Sequence, residues 1–255
     1  MANHKDTTKI KGLSGATVEL LTYSDGKQVV KKSAIGKYRE KLLNEIRWYQ
    51  NIDKIAQNIF PNIELVKITD DSVEFIMPFY YDGNIFENVY IGREENIKTI
   101  ISFFTALTYK LYLPTLHNNK NVFIDTFLKE KLLKRMDLIK SIDFSNNIII
   151  NGKNLKSLND LLKTLMGSDL FISIKENTQL CKTHGDLTLR NILVDPKNDN
   201  EFIFIDVNPK DFITNYFADP IEDVSRITAY IYPVLPMKNN NIYWEQDGGN
   251  IFYMS

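Results

Sequence analysis

What this 255-residue chain has little of narrows its class first. Its single cysteine, Cys181, leaves no internal disulfide to form, which excludes a small disulfide-stapled fold and points to a reducing compartment. Glycine (11) and proline (8) are sparse, so a collagen-like fibre or a low-complexity linker protein is excluded as well. No apolar run approaches the roughly 20 residues that a membrane-crossing helix needs. The greasiest stretches, Ile148-Ile149-Ile150 and 202–205, are strand-sized. Residues 1–12 lack the apolar segment of a secretory signal, and a cytoplasmic location is expected. Nor is charge of one sign in excess, since 31 Lys and Arg stand against 32 Asp and Glu for a net charge of −1. Without a chain-wide pull toward nucleic acid or anionic membrane, any anionic ligand has to be held by a local site. What is present is a globular composition, 44% apolar and 25% charged, long enough to bury a real core in one large domain or two small ones.

The first eighty residues read as β-rich. Residues 17–23 form a β-prone run that stops at Ser24-Asp25-Gly26, and 27–34 resume as a second strand of a hairpin. From Gly36 the period changes: Tyr38, Leu42, Leu43, Ile46, Tyr49 and Ile52 recur every three or four positions, on one face of an amphipathic helix. Strands follow at 63–68 and 72–77. Residues 78–84, with Pro78 and Asp82-Gly83, punctuate the chain as a linker. After it, 94–113, 123–142 and the shorter 155–165 carry helical periodicity, and 146–156 read as a small hairpin or loop. Residues 183–209 return to β character around a polar loop.

That loop carries the chemistry. It reads His184-Gly185-Asp186-Leu187-Thr188-Leu189-Arg190-Asn191-Ile192-Leu193-Val194-Asp195, and after a turn comes Ile203-Phe204-Ile205-Asp206-Val207-Asn208-Pro209. Phosphoryl transfer needs an oriented hydroxyl, a carboxylate to take its proton, and hard oxygen ligands for Mg²⁺. Asp186, Asn191 and Asp206 are residues of those types in a constrained order. The stretch resembles the catalytic and metal-binding loops of the protein-kinase-like small-molecule phosphotransferases, in the His-Gly-Asp variant of aminoglycoside phosphotransferases and choline kinases. The resemblance implies that Asp186 accepts the substrate proton, that Asn191 and Asp206 hold the metal, and that His184 braces the loop by hydrogen bonds rather than ionising. Gly185 stands where regulated protein kinases carry Arg, which argues against switching by loop phosphorylation. Further on, Phe217-Ala218-Asp219-Pro220-Ile221-Glu222-Asp223-Val224 is similar to the start of a helix in the same family. There Asp219 serves as an N-cap before Pro220, and Asp223 braces the loop rather than touching substrate.

The same resemblance assigns the N-terminal residues to ATP. Gly12, Ser14 and Gly15 lie in a loop between strands that could bring backbone N–H groups to the phosphates. Val29-Val30-Lys31-Lys32 looks like the strand whose lysine grips the phosphates. Neighbours on a strand face opposite sides, so one of Lys31 and Lys32 points inward, and Lys32 is preferred. Glu45, on the following helix, would orient that lysine, and 77–81, with Met77 and Phe79, would form a hinge against the adenine edge.

The expected fold is α+β and two-lobed, protein-kinase-like, with a small β-rich N-lobe over 1–77, a hinge at 78–84 and a mainly helical C-lobe over 85–255. The expected cofactors are ATP and Mg²⁺. The expected partner is a small-molecule hydroxyl substrate, a sugar or sugar derivative being favoured, with no nucleic acid and no membrane. A nucleotide-binding pseudokinase, a protein Ser/Thr kinase and an aminoglycoside resistance kinase remain the rival readings. Residues 230–255, with Trp244, Phe252 and Tyr253, could close the substrate site, pack on the helices or meet another subunit.

Overall fold

A computed structural model describes residues 4–10, 15–52, 54, 56, 58–86, 94–117, 148–150, 153–208, 217–231, 243–247 and 250–254. The N-terminal part is a five-stranded antiparallel sheet of β1 (His4–Ile10), β2 (Thr17–Tyr23), β3 (Gln28–Ile35), β4 (Leu65–Ile68) and β5 (Ser72–Pro78), in the order β1-β2-β3-β5-β4. The β2–β3 turn needs its glycine: Gly26 has φ +86° and donates its N–H to the Tyr23 carbonyl. Helix α1 (Arg39–Gln50) follows a single 3-10 turn at Gly36–Tyr38 and packs Leu42, Ile46 and Tyr49 on the sheet.

The apolar periodicity of 94–113 yields helix α2 only over Glu94–Leu107. The chain then widens into a π turn at Thr108–Tyr112 and tightens into a 3-10 turn at Leu113–Thr115, where Pro114 removes a helical N–H donor. The expected helix at 123–142 lies outside the described residues. Residues 146–156 contain a hairpin of β6 (Ile148–Ile150) and β7 (Lys153–Leu155). The shorter helix expected over 155–165 starts later, as α3 (Leu158–Met166), because Ser157 caps it by accepting the Asp160 N–H. A further helix, α4 (Asp169–Asn177), was not foreseen; its signal is the Ser168 cap that accepts the Phe171 N–H. Then come β8 (Cys181–Lys182), β9 (Ile192–Asp195), β10 (Asn198–Phe204), β11 (Phe217–Ala218) and helix α5 (Ile221–Ala229). Strands β12 (Tyr243–Asp247) and β13 (Asn250–Met254) form a hairpin that extends the β6–β7 pair, with β13 parallel to β6. No described helix is long and apolar enough to cross a membrane.

The fold class is α+β, and one apolar core joins the sheet to the segments that follow it. Trp48 of α1 meets Phe60 edge-on at 4.8 Å, Phe60 lies 5.6 Å from Phe204 of β10, and Phe204 lies 6.0 Å from Phe103 of α2. The Phe204 N–H donates to the Ile59 carbonyl, and Val194 of β9 donates to Asn84 just past the sheet. These contacts set β3 and α1 against the ends of β9 and β10, where the sequence had concentrated its polar residues.

Candidate active site

The alternation of β3 decides between its two lysines. Lys31 turns to the flank of the sheet, 2.9 Å from Glu19 on β2 and 4.0 Å from Glu74 on β5. Lys32 turns inward and is 4% exposed, in line with Val30 and Ala34. Its Nζ donates to both Glu45 oxygens at 2.9 and 2.7 Å and to Asp206 Oδ1 at 2.8 Å. Glu45 reaches it because it shares the buried face of α1 with Leu42, Ile46 and Tyr49. Burial alone would push the Lys32 ammonium down, but the two carboxylates outweigh it and hold its pKa above the usual lysine range. Burial works the other way on Glu45, raising it to about 7 against the pull of Lys32. At Asp206 the ammonium outweighs partial burial and keeps the carboxyl below its usual range. Asp206 also sits at φ +58°, a backbone region costly for a residue with a Cβ, and its side chain is 43% exposed. It is strained, ion-paired and open to solvent at once.

The loop at 183–191 is held from beneath by Asp223, the first-turn carboxylate of α5. Asp223 Oδ2 accepts from the His184 N–H at 2.8 Å and the Tyr112 hydroxyl at 3.0 Å, while Oδ1 accepts from the Gly185 N–H at 2.8 Å. Gly185 at φ +76° lets the backbone aim that N–H downward. His184 Nε2 donates to the Ile205 carbonyl at 2.9 Å, and Nδ1 accepts from the Asp186 N–H at 3.2 Å, partners that define a neutral imidazole. Burial lowers its pKa despite the nearby Asp223 and Asp186 carboxylates. His184 therefore ties the loop to the segment leading into Asp206 without carrying charge.

A pH dependence follows from that neutrality. The unfolded chain gains a proton at His184 as pH falls through about 6.5, whereas the folded chain resists it, so stability is level above that value and declines below it. The melting temperature should drop less between pH 7.5 and 5.5 for His184→Gln than for the parent chain. Equal slopes would count against a buried neutral histidine.

Asn191 donates its Nδ2 to the Asp186 carbonyl at 2.8 Å, which leaves its amide oxygen as the group to offer a cation. Asp206 has Oδ2 beyond its Lys32 contact. Among the described residues no cluster of three or more His, Cys, Asp or Glu side chains could hold a metal alone. One amide oxygen and one carboxylate fit Mg²⁺ shared with phosphate oxygens, rather than an all-protein cage. The Asp186 side chain is one-third exposed, and its Oδ1 accepts from Arg226 Nη1 of α5 at 2.8 Å. Sequence reading missed Arg226, whose partner lies 40 residues upstream and leaves no local signal.

The remaining nucleotide candidates divide. Gly12 and Ser14 lie outside the described residues. Gly15 is at φ +79°, and a Cβ there would run into the Tyr38 ring, so this position demands glycine. Met77 is buried opposite Val30 of β3. The Phe79 N–H is engaged within the chain, donating to the Gln28 carbonyl at 3.3 Å. Pro220, at helical φ −58°, directly precedes α5, and Asp219 Oδ1 accepts from the Ile221 N–H at 2.9 Å, so the carboxylate satisfies a donor at the start of the helix from one residue further out than the cap itself.

No protein-family model matches this chain, and comparison with curated proteins finds no match. Among solved structures, the chain is similar to a crystal structure of Rad53 1-466 in complex with AMP-PNP, at 14% sequence identity and a TM-score of 0.39, over 80% of this chain. It spans 38% of that chain's length.

Proposed function

We propose that this chain is an ATP- and Mg²⁺-dependent phosphotransferase that moves the γ-phosphoryl group onto a hydroxyl of a small molecule, with a sugar or sugar derivative as the favoured acceptor class. The observation that carries this reading is the buried Lys32 ammonium held between Glu45, 13 residues away, and Asp206, 174 residues away. Such a pair is weak evidence for stability, because desolvation offsets much of its Coulombic gain. A cation fixed beside a strained, solvent-open carboxylate is instead what a polyphosphate and its counter-ion require.

In this reading Lys32, oriented by Glu45, donates to phosphate oxygens, and Asn191 and Asp206 would hold Mg²⁺. When bound, the metal screens phosphate charge. Asp186 Oδ2 accepts the proton of the acceptor hydroxyl as that oxygen bonds to the γ-phosphorus and the bond to the ADP oxygen breaks. His184 and Asp223 keep the Asp186 backbone in place throughout.

The test is calorimetry with ATP, with and without Mg²⁺, on the parent chain and on Asp206→Asn, which keeps the side-chain size and tolerates left-handed backbone. The parent should bind ATP more tightly with Mg²⁺ present, and the variant should lose that gain. ATP affinity indifferent to Mg²⁺ in the parent would refute the proposal.

A further inference from the structure

The ion pair between Arg226 and Asp186 has no place in the roles assigned so far. Both side chains are about one-third exposed, 30% and 34%, and a pair that open adds little to stability. Its position is nevertheless firmly built. Asp223 and Arg226 are one turn apart on α5; the first grips the loop backbone at His184 and Gly185, and the second grips the loop carboxylate at Asp186. Helix and loop thereby meet at two points, the buried Asp223 bonds setting the backbone from which Arg226 reaches the carboxylate.

Two chemical consequences follow. One Asp186 oxygen is occupied, which leaves Oδ2 as the oxygen outside the Arg226 contact. A guanidinium also carries five N–H donors in a planar fork, and Asp186 is its one partner among the described residues, taking one of them. With its side chain 30% exposed, the guanidinium stays in part open to solvent beside the group that is to meet the acceptor hydroxyl. A cationic acceptor would meet like charge there, and an oxyanion would meet a guanidinium already held at the loop carboxylate.

We propose that Arg226 is an acceptor-binding, specificity-determining residue, and that the acceptor is a hydroxylated molecule carrying a phosphate or carboxylate beside the reacting hydroxyl. This deepens the phosphotransferase reading and rests on it. Asp186 then presents the base and Arg226 the anion anchor, one turn of α5 holding both in register. The neutral hydroxyl acceptor becomes a poorer substrate, and amino sugars and aminoglycosides become the worst.

The experiment measures ADP release with matched acceptors on hexose, pentose and glycerol skeletons, each in neutral, amino, carboxylate and phosphate form. It is run on the parent, Arg226→Met and Arg226→Lys, with Mg·ATP affinity measured in parallel by calorimetry. The parent should favour an anionic member by about tenfold or more in kcat/KM over its neutral counterpart, the scale of one charged hydrogen bond. Arg226→Met should lose that preference through a raised acceptor KM, Arg226→Lys should restore part of it, and Mg·ATP affinity should not move. Neutral or amino acceptors used as well as anionic ones overturn the inference. So does a preference that survives Arg226→Met, a Mg·ATP affinity that falls with it and assigns the guanidinium to the nucleotide, or a panel in which no member is turned over by a chain that binds Mg·ATP. A parent chain that binds no Mg·ATP refutes the phosphotransferase reading itself.

Discussion

Asp186→Asn is expected to lower phosphoryl-transfer turnover by about 10²–10⁴, the range for losing a positioned general base, while leaving Mg·ATP affinity and the melting temperature close to those of the parent. The selectivity of that effect comes from where Asp186 sits. Its backbone is fixed by others: the N–H by His184 Nδ1 and the carbonyl by the Asn191 amide. Its side chain is partly exposed and contributes one contact, to Arg226, which an Asn amide oxygen can still accept. Pairs of that exposure are worth about 0–1 kcal/mol, so the fold should scarcely register the change. Turnover within threefold of the parent at saturating acceptor would remove Asp186 from the role of base. A collapse of stability would mean that the carboxylate is structural.

The spacing of His184, Asp186 and Asn191 and the later Asp206 is visible because loop and hairpin are contiguous, and chain connectivity alone delivers them to one place. The inward turn of Lys32 is legible to within one residue, since strand alternation permits either lysine and Val29 is as buried as Val30, so the contact with Glu45 on α1 decides. Glu45 is legible as one of two acidic residues on a helix; what separates it from Glu40 is the face that α1 buries, and that depends on the sheet beneath. Arg226 is beyond such reasoning. Its partner lies 40 residues upstream, and nothing in local periodicity distinguishes a surface arginine from one that closes on a loop carboxylate. The same holds for β12 and β13, whose edge pairs with Ile149 and Ile150, about a hundred residues earlier, through a parallel contact that no turn signal announces.

Lys32→Met should have the largest effect on stability, and Lys31→Met supplies its internal control. Lys31 pairs with Glu19 on a partly exposed sheet face, and its loss should cost no more than about 1 kcal/mol. Lys32 is buried with Glu45, and removing the ammonium leaves Glu45 with neither of its 2.7 and 2.9 Å donors and Asp206 without its partner. Breaking one side of a buried pair typically costs about 3–5 kcal/mol, because the remaining charge is desolvated and unmatched. The loss carries a pH signature. Burial already holds Glu45 up at about 7 with Lys32 present, and without the ammonium its carboxyl rises further in the folded chain. Both folded chains keep the Glu45 proton below about 7; above it the parent's carboxyl ionises against Lys32 while the variant's does not, so the destabilisation relative to the parent grows as pH rises past about 7. Lys32→Met/Glu45→Met, which removes both charges and refills the space with apolar atoms, should recover most of the stability at pH 8 while remaining without activity. Chemical denaturation of the four chains at pH 5 and pH 8 reads all of this. A Lys32→Met chain as stable as Lys31→Met at pH 8 would contradict the buried pair, and a double variant that regained phosphoryl transfer along with stability would strip Lys32 of its place at the phosphates.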